Sequence, residues 1–135
     1  MSNITQVVKH EKNMTTLSRG VTASGLDQVL SGTGPFTLFA PSDLAFAKLQ
    51  TGAIESLLQP DNKVKLTSLM NQHIVAGKIN FTELKDGDTL KNLDGKELSV
   101  KVINNTVTID GATIQNRDVP SSNGVIHSLD AVLKN

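Results

Sequence analysis

The sequence predicts an α+β domain, in which helices come first along the chain and strands follow. The first observation is that apolar residues recur at spacings of three and four in the N-terminal half, the period of an amphipathic helix. The second is a strict alternation later on, where Leu98, Val100 and Val102 are separated by polar residues. The third is a set of turn sequences in the second half, Asp94-Gly95, Asn104-Asn105 and Asp110-Gly111.

Apolar stripes predict helices in the first third of the chain. Asn13 is expected to cap the second of them, because its side chain can accept a hydrogen bond from a first-turn N–H. Gly25 interrupts the pattern, one or two further helical turns follow it, and Gly32 to Pro35 form a turn. The residues expected to face inward are Ile4, Val7, Val8, Met14, Leu17, Val21, Leu26, Val29 and Leu30.

The stretch TLFAPSDLAFAKL, residues 37–49, predicts a buried strand followed at once by a helix. Pro41 ends the strand, because proline has no N–H to donate within a sheet. Ser42 is expected to cap the helix, with Asp43 in its first turn, where a negative charge is favourable. A phosphate loop would need glycines here and a nucleophilic serine would need small neighbours, so a structural role is favoured. The residues expected to face the core are Phe46 and Leu49.

The middle of the chain predicts two more helices. A short one, with Ile54, Leu57 and Leu58 on its apolar face, ends before Pro60, and a longer one begins at Asp61. The apolar stripe of the longer helix consists of Leu66, Leu69, Met70 and His73.

The second half predicts an antiparallel meander, because the period changes to two after Gly77. Strands are expected at 98–102 and 106–109, joined by a tight turn at Asn104-Asn105. Asn123-Gly124 makes a last turn before an apolar strand. The residues expected to close the core are Leu129, Val132 and Leu133.

Length and composition fit a single domain that spans residues 1–135, and Met1-Ser2 is compatible with an added start in front of a mature domain.

The 13 basic and 13 acidic residues balance without any run of Lys or Arg, which disfavours nucleic-acid partners. The absence of cysteine excludes disulfides, thiolate metal sites and cysteine nucleophiles. No stretch approaches the ~20 apolar residues of a membrane span. A monomer is expected.

The histidines form no local metal motif, because His10, His73 and His127 are far apart in the sequence. His73 is expected to be a buried structural residue, since it shares an apolar stripe. A catalytic triad can be drawn from His127, Ser128 and Asp130, but neighbouring residues of a strand point to opposite faces. The sequence therefore favours a structural role for these residues too.

The carboxylates do not form a recognisable site either. Asp86 and Asp88 flank Gly87, and this segment fits a turn better than a calcium loop, which needs regular acidic spacing and a distal Glu. We therefore expect no catalytic, cofactor-binding or metal-binding residue, and no enzyme activity.

Three stretches together resemble the fasciclin-type (fasciclin I-like) domain, over about Ile4 to Leu133. They are GPFTLFAPSDLAFAKL, LTSLMNQHIVAGKI and SSNGVIHSLDAVL, and their order and spacing match the family. The resemblance implies an α+β fold with an antiparallel β-sheet wedge and several small helices. It also implies a secreted, periplasmic or cell-surface location and a role in adhesion to cells or matrix.

The resemblance also implies candidate partner-binding residues. Animal members of the family have a Tyr-His pair that is linked to integrin binding, and the matching pair here is Gln72-His73, which lacks the tyrosine. A second integrin-linked motif centres on Asp-Ile shortly before the third stretch, and Asp118-Val119 keeps its acid and a branched apolar neighbour. Partner binding is therefore predicted at Asp118, Val119 and His73. The alternative is that Asp118 caps a turn before Pro120 and that Val119 belongs to the core.

Three functions remain open from the sequence. The leading one is a non-catalytic adhesion module whose partner is a protein or another macromolecule of a matrix or cell surface. An alternative is a carrier domain for a small apolar ligand held between helices and sheet, which would need an apolar pocket of several hundred Å³. The third is a hydrolase built around His127, with a carboxylate and a hydroxyl converging in a cleft. The plain composition favours a bacterial source.

Overall fold

The computed structural model describes residues 3–11, 14–30, 32, 34–47, 55–56, 58–115 and 119–132. The helices are α1 (Ile4–His10), α2 (Thr15–Ser24), α3 (Leu26–Val29), α4 (Asp43–Ala47) and α5 (Lys63–Asn71), with 3-10 turns at Pro60–Asn62 and Phe81–Glu83. The strands are β1 (Phe36–Pro41), β2 (Ile74–Ala76), β3 (Thr89–Lys91), β4 (Glu97–Ile103), β5 (Thr106–Ile109), β6 (Ala112–Thr113), β7 (Val119–Ser121) and β8 (Gly124–Leu129). This order confirms the predicted α+β class. None of the described helices has the length and apolar character needed to cross a bilayer.

The described strands form two four-stranded sheets that meet as a wedge. The first sheet has the order β2-β1-β8-β7 and the second the order β3-β4-β5-β6. The second sheet is antiparallel throughout, which confirms the predicted meander. The first sheet contains a parallel pair, β1 with β8, which the sequence pattern did not predict. Single bridges between Val75 and Asn92 and between Ile114 and Leu129 join the two sheets at their corners.

Two hydrophobic cores lie on the two faces of the first sheet. On β1, Leu38 and Ala40 face the helices, whereas Phe39 faces the second sheet. The helical core consists of Ile4, Val8, Met14, Leu17, Val21, Leu26, Leu30, Leu38, Ala40, Phe46, Leu66, Met70, Ile74 and Ile126. The wedge core, between the sheets, consists of Phe39, Val75, Leu84, Leu98, Val100, Val107, Ile109, Ala112, Ile114 and Leu129.

Several local predictions are confirmed. Ser42 caps α4, since its Oγ accepts a hydrogen bond from the Ala45 N–H at 3.3 Å. Gly25 ends α2 with a φ of +80°, a conformation that glycine adopts easily. Asn104 and Asn105 have φ values of 51° and 66°, as a tight hairpin turn between β4 and β5 requires.

Two predictions need correction. Helix α5 ends at Asn71, so His73 lies beyond the helix rather than on its apolar stripe. Pro41 is the last residue of β1, opposite Leu129, and does not stand after the strand. A proline is tolerated there because the Leu129 carbonyl accepts from the Ser42 N–H at 3.2 Å, so pairing with β8 does not need an N–H from Pro41. Some predicted positions lie outside the described residues, namely Asn13, Thr33, Leu49, Ile54, Leu57, Leu133 and the side chain of Val29.

Candidate functional site

Val119 begins β7, an edge strand of the first sheet. It lies opposite Ile126 of β8, and Ser121 lies opposite Gly124. The Val119 side chain is half-buried and packs against the helical core, as the structural alternative for this residue expected. Asp118 lies outside the described residues, so its role in partner binding stays a prediction.

The chain is fixed to β8 on both sides of residues 116–118. On one side the Gln115 N–H donates to the Ser128 carbonyl at 2.8 Å. On the other side Val119 pairs with Ile126. A single β8 residue, His127, lies between these two pairing partners. The described residues on either side of 116–118 thus both pair with β8, and segments that connect sheet residues commonly carry function.

Asn123, in the turn between β7 and β8, holds that hairpin to distant parts of the chain. Its Nδ2 donates to the carbonyls of Leu30 at 2.6 Å and Gly32 at 2.9 Å. Its Oδ1 accepts from the Ile4 N–H at 3.0 Å. Its backbone carbonyl accepts from the Phe36 N–H at 2.9 Å. The Asn-Gly sequence predicted the turn, but it gave no indication of these side-chain contacts.

His127 is buried beside the wedge core. Its side chain is 0% exposed, and Nε2 lies 2.8 Å from the Ile79 carbonyl. Because a carbonyl only accepts, Nε2 carries the proton. The ring stacks on Phe39 with 5.7 Å between centroids. Asp130, the acid of the hypothetical triad, accepts the Thr113 N–H at 2.8 Å. Both residues therefore serve to hold strands and connecting segments together.

His73 is buried as predicted, with 0% exposure. Burial lowers its pKa from 6.5 to about 4, although the hydrogen bond to the Leu69 carbonyl acts in the opposite direction. The ring is therefore neutral at pH 7. Its Nδ1 lies 2.7 Å from the Leu69 carbonyl and must donate to it. This bond holds the turn between α5 and β2.

These elements and motifs match one family of known proteins. The model of the fasciclin domain matches residues 12–135. This chain belongs to the fasciclin domain family. Protein sll1483 of Synechocystis sp. is 42% identical to this fasciclin domain over 130 residues, which are 96% of this chain and 72% of that protein. The transforming growth factor-beta-induced protein ig-h3 of Sus scrofa is 36% identical over 133 residues, which are 98% of this chain but 19% of that protein.

The fold of the domain also matches a solved structure. That structure is a FAS1 domain pair from the insect cell adhesion molecule fasciclin I, with a TM-score of 0.86. The match covers 99% of this chain and 51% of the other, at 18% sequence identity. At this identity the likeness establishes the fold.

The first family stretch of this fasciclin domain connects three elements, namely β1, α4 and α2. While Ser42 caps α4, the Asp43 carboxylate accepts the Thr16 N–H at 2.8 Å and the Thr15 hydroxyl at 2.7 Å. Burial raises the pKa of Asp43, but these hydrogen bonds lower it more, so the net pKa is below 3.8. Asp43 therefore caps α2 from a different helix, a contact that the sequence did not predict.

One apolar cavity among the helices bears on the carrier alternative. An apolar cavity of about 10 Å³ lies among Gly20, Phe46, Leu66 and Met70. It has room for about one water-sized sphere, whereas a small-molecule site needs several hundred Å³. This cavity is therefore too small to serve as a carrier site.

The acidic turn is as expected from the sequence. The Asp86 carboxylate accepts the Val102 N–H at 3.0 Å, and the Asp88 carboxylate accepts the Lys85 N–H at 3.3 Å. Among the described residues, no group of three or more His, Asp or Glu side chains converges in a way that could hold a metal ion.

Proposed function

We propose that this fasciclin domain is a non-catalytic adhesion module that works outside the cytoplasm, in the periplasm, at the cell surface or in a secreted form. Its partner is a protein or another macromolecule of a matrix or cell surface. The observation that carries the proposal is membership of the fasciclin family, together with the fold shared with an insect cell adhesion molecule.

The use of the polar side chains supports a binding function over a catalytic one. His73 and His127 are fully buried and bonded to backbone carbonyls. Asp43 caps a helix, and Asp130 binds a backbone N–H. These groups stabilise the scaffold, which leaves recognition to surface segments between the strands.

The segment that best fits recognition is the predicted motif Asp118-Val119. The chain is tied to β8 shortly before this motif, at Gln115, and within it, at Val119. A carboxylate there would supply charge-assisted hydrogen bonds to a partner or help to coordinate a bridging cation. His73 has no exposed surface, so it contributes to binding only by holding the segment in which it lies.

The test compares the binding of intact cells and of a panel of immobilised matrix proteins and polysaccharides to wild type and to Asp118→Ala. Glu97→Ala is the matched control, because it removes one exposed carboxylate from β4, on the second sheet. We expect Asp118→Ala to weaken binding about tenfold, the loss of one charge-assisted hydrogen bond, and Glu97→Ala to leave it unchanged.

Thermal melts of all three proteins separate recognition from folding. If Asp118→Ala binds as tightly as wild type, the site is wrong. If its binding falls only in step with an earlier melt, Asp118 is a structural cap and the adhesion surface lies elsewhere.

A further inference from the structure

The N-terminal helix α1 and the β7–β8 hairpin meet at one buried side chain, Asn123. Asn123 is 7% exposed, and its partners lie as far as 119 residues away in sequence. Helix α1 lies before residues 12–135, the part of the chain that matches the family model. It is nevertheless part of the packed fold, because Ile4 and Val8 are buried in the helical core. The hairpin begins at Val119, where we place the partner-binding surface.

The hydrogen-bond pattern requires an amide at this position. The carbonyls of Leu30 and Gly32 need donors, and only the Nδ2 group can supply both. The Ile4 N–H needs an acceptor, which only Oδ1 provides. The amide orientation is thereby fixed, and an Asp of the same shape would lose both donors.

Asn123 also completes the first turn of α1. The rest of the N-terminal cap of α1 is made by neighbouring residues. The Asn3 side chain accepts the Gln6 N–H at 2.9 Å, and the Gln6 side chain accepts the Asn3 N–H at 3.0 Å. The N–H of Ile4, the first helical residue, is bound instead by the hairpin. A displacement of α1 therefore breaks a buried bond to the hairpin.

We propose that Asn123 is a positioning residue that couples α1 to the β7–β8 hairpin, so that α1 sets the geometry of the partner-binding surface. The coupling is a property of the fold alone, whereas its effect on binding rests on the function proposed above. A partner or a neighbouring chain segment that moves α1 then changes adhesion at Val119.

The decisive comparison is between Ile4→Pro and Ile4→Ala. Proline is favoured at the first position of a helix, but its ring carbon Cδ would stand where the Ile4 N–H points, against Asn123 Oδ1, which lies 3.0 Å from the Ile4 nitrogen. The substitution therefore removes the hydrogen bond and also pushes the Asn123 amide away from α1. Asn3 has φ −76° and ψ 174°, which suits a residue before proline. Both variants lose the buried isoleucine side chain, so their difference reports the loss of the contact between α1 and the Asn123 amide. Direct truncation of Asn123 is less informative, because it breaks several bonds at once and can unfold the domain.

We expect native-state amide exchange at Ser121 and at 124–126 to be about fivefold to tenfold faster in Ile4→Pro than in Ile4→Ala. We also expect Ile4→Pro to bind the cells or matrix components that bind wild type several-fold more weakly than Ile4→Ala does. Equal exchange in the two variants overturns the coupling. Faster exchange with equal binding overturns the positioning role. If wild type binds no surface in the panel, the proposed adhesion function fails, and the exchange comparison still decides the coupling.

Discussion

His73 makes the stability of the domain dependent on pH in a defined direction. Its folded pKa is depressed to about 4 by burial, whereas in the unfolded chain the pKa returns to its ordinary value of 6.5. Such a group contributes its full stability above pH 6.5, and the contribution is lost as the pH falls from 6.5 towards 4. We therefore expect the free energy of unfolding to decrease over this range.

The size of the effect follows from the two pKa values. At about 1.4 kcal/mol per pH unit, the gap between 6.5 and about 4 corresponds to about 3 kcal/mol. Because the ring is 0% exposed, solvent does not screen this term. Asp43 does not interfere, since its pKa is lowered below 3.8 and its contribution is lost only in more acidic solution.

The assay is urea unfolding of wild type and His73→Asn at several values from pH 7.5 to pH 4.5. Asn keeps an N–H that can donate to the Leu69 carbonyl, and it does not titrate. The difference in unfolding free energy between the two proteins isolates His73 from every other group. We expect this difference to change by about 2 kcal/mol or more across the range, in the direction that disfavours wild type in acid. A difference that does not change with pH would show that the ring is hydrated or already paired with a charge, which would contradict a pKa depressed by burial.

Three further substitutions test the scaffold. Phe39→Ala should cost about 3–5 kcal/mol in denaturant melts, because the ring is 0% exposed in the space between the sheets, and a loss below about 1 kcal/mol would contradict that burial. Asp43→Ala should cost about 1–2 kcal/mol through the lost cap of α2, and an unchanged melt would show that the cap contributes nothing. Gly124→Ala should prevent correct folding, because the new Cβ would overlap the Phe36 carbonyl oxygen. Gly95→Ala, the control, meets no atom within 4 Å and should cost only the about 1–2 kcal/mol of an unfavourable φ, as measured by the same melts.

Local structure was largely predictable because it depends on neighbouring residues. The alternation of Leu98, Val100 and Val102 placed β4, and Asn104-Asn105 placed its turn. The parallel pairing of β1 with β8 was not predicted, since about 80 residues separate the two strands. Both strands are nearly completely buried, as strands covered on both faces are, but the sequence of β8 does not show this, because it includes His127 and Ser128.

The candidate site was less predictable than the fold. The burial of His73 followed from its apolar neighbours, but its place on a helical stripe was wrong, because the helix ends at Asn71. Asn123 was recognised only as a turn residue, since its partners at Ile4, Leu30 and Gly32 come close only in the folded chain. Side chains that bind distant backbone groups leave no periodic trace in a sequence.

The strand-to-helix stretch at residues 37–49 shows why the family motif carries no reactive group. Ser42 caps α4 by accepting the Ala45 N–H. Asp43 is then free to satisfy α2, whose own N-cap residue, Met14, makes no side-chain cap. Asp43, the acidic residue that the structure describes in this stretch, thus links α2 to the start of α4, which follows β1. Its lowered pKa keeps the carboxylate ionised, so that it can accept these hydrogen bonds. A motif used in this way preserves the scaffold, and for that reason we propose that partner recognition falls to segments between the strands, such as the one bounded by Gln115 and Val119, both of which pair with β8.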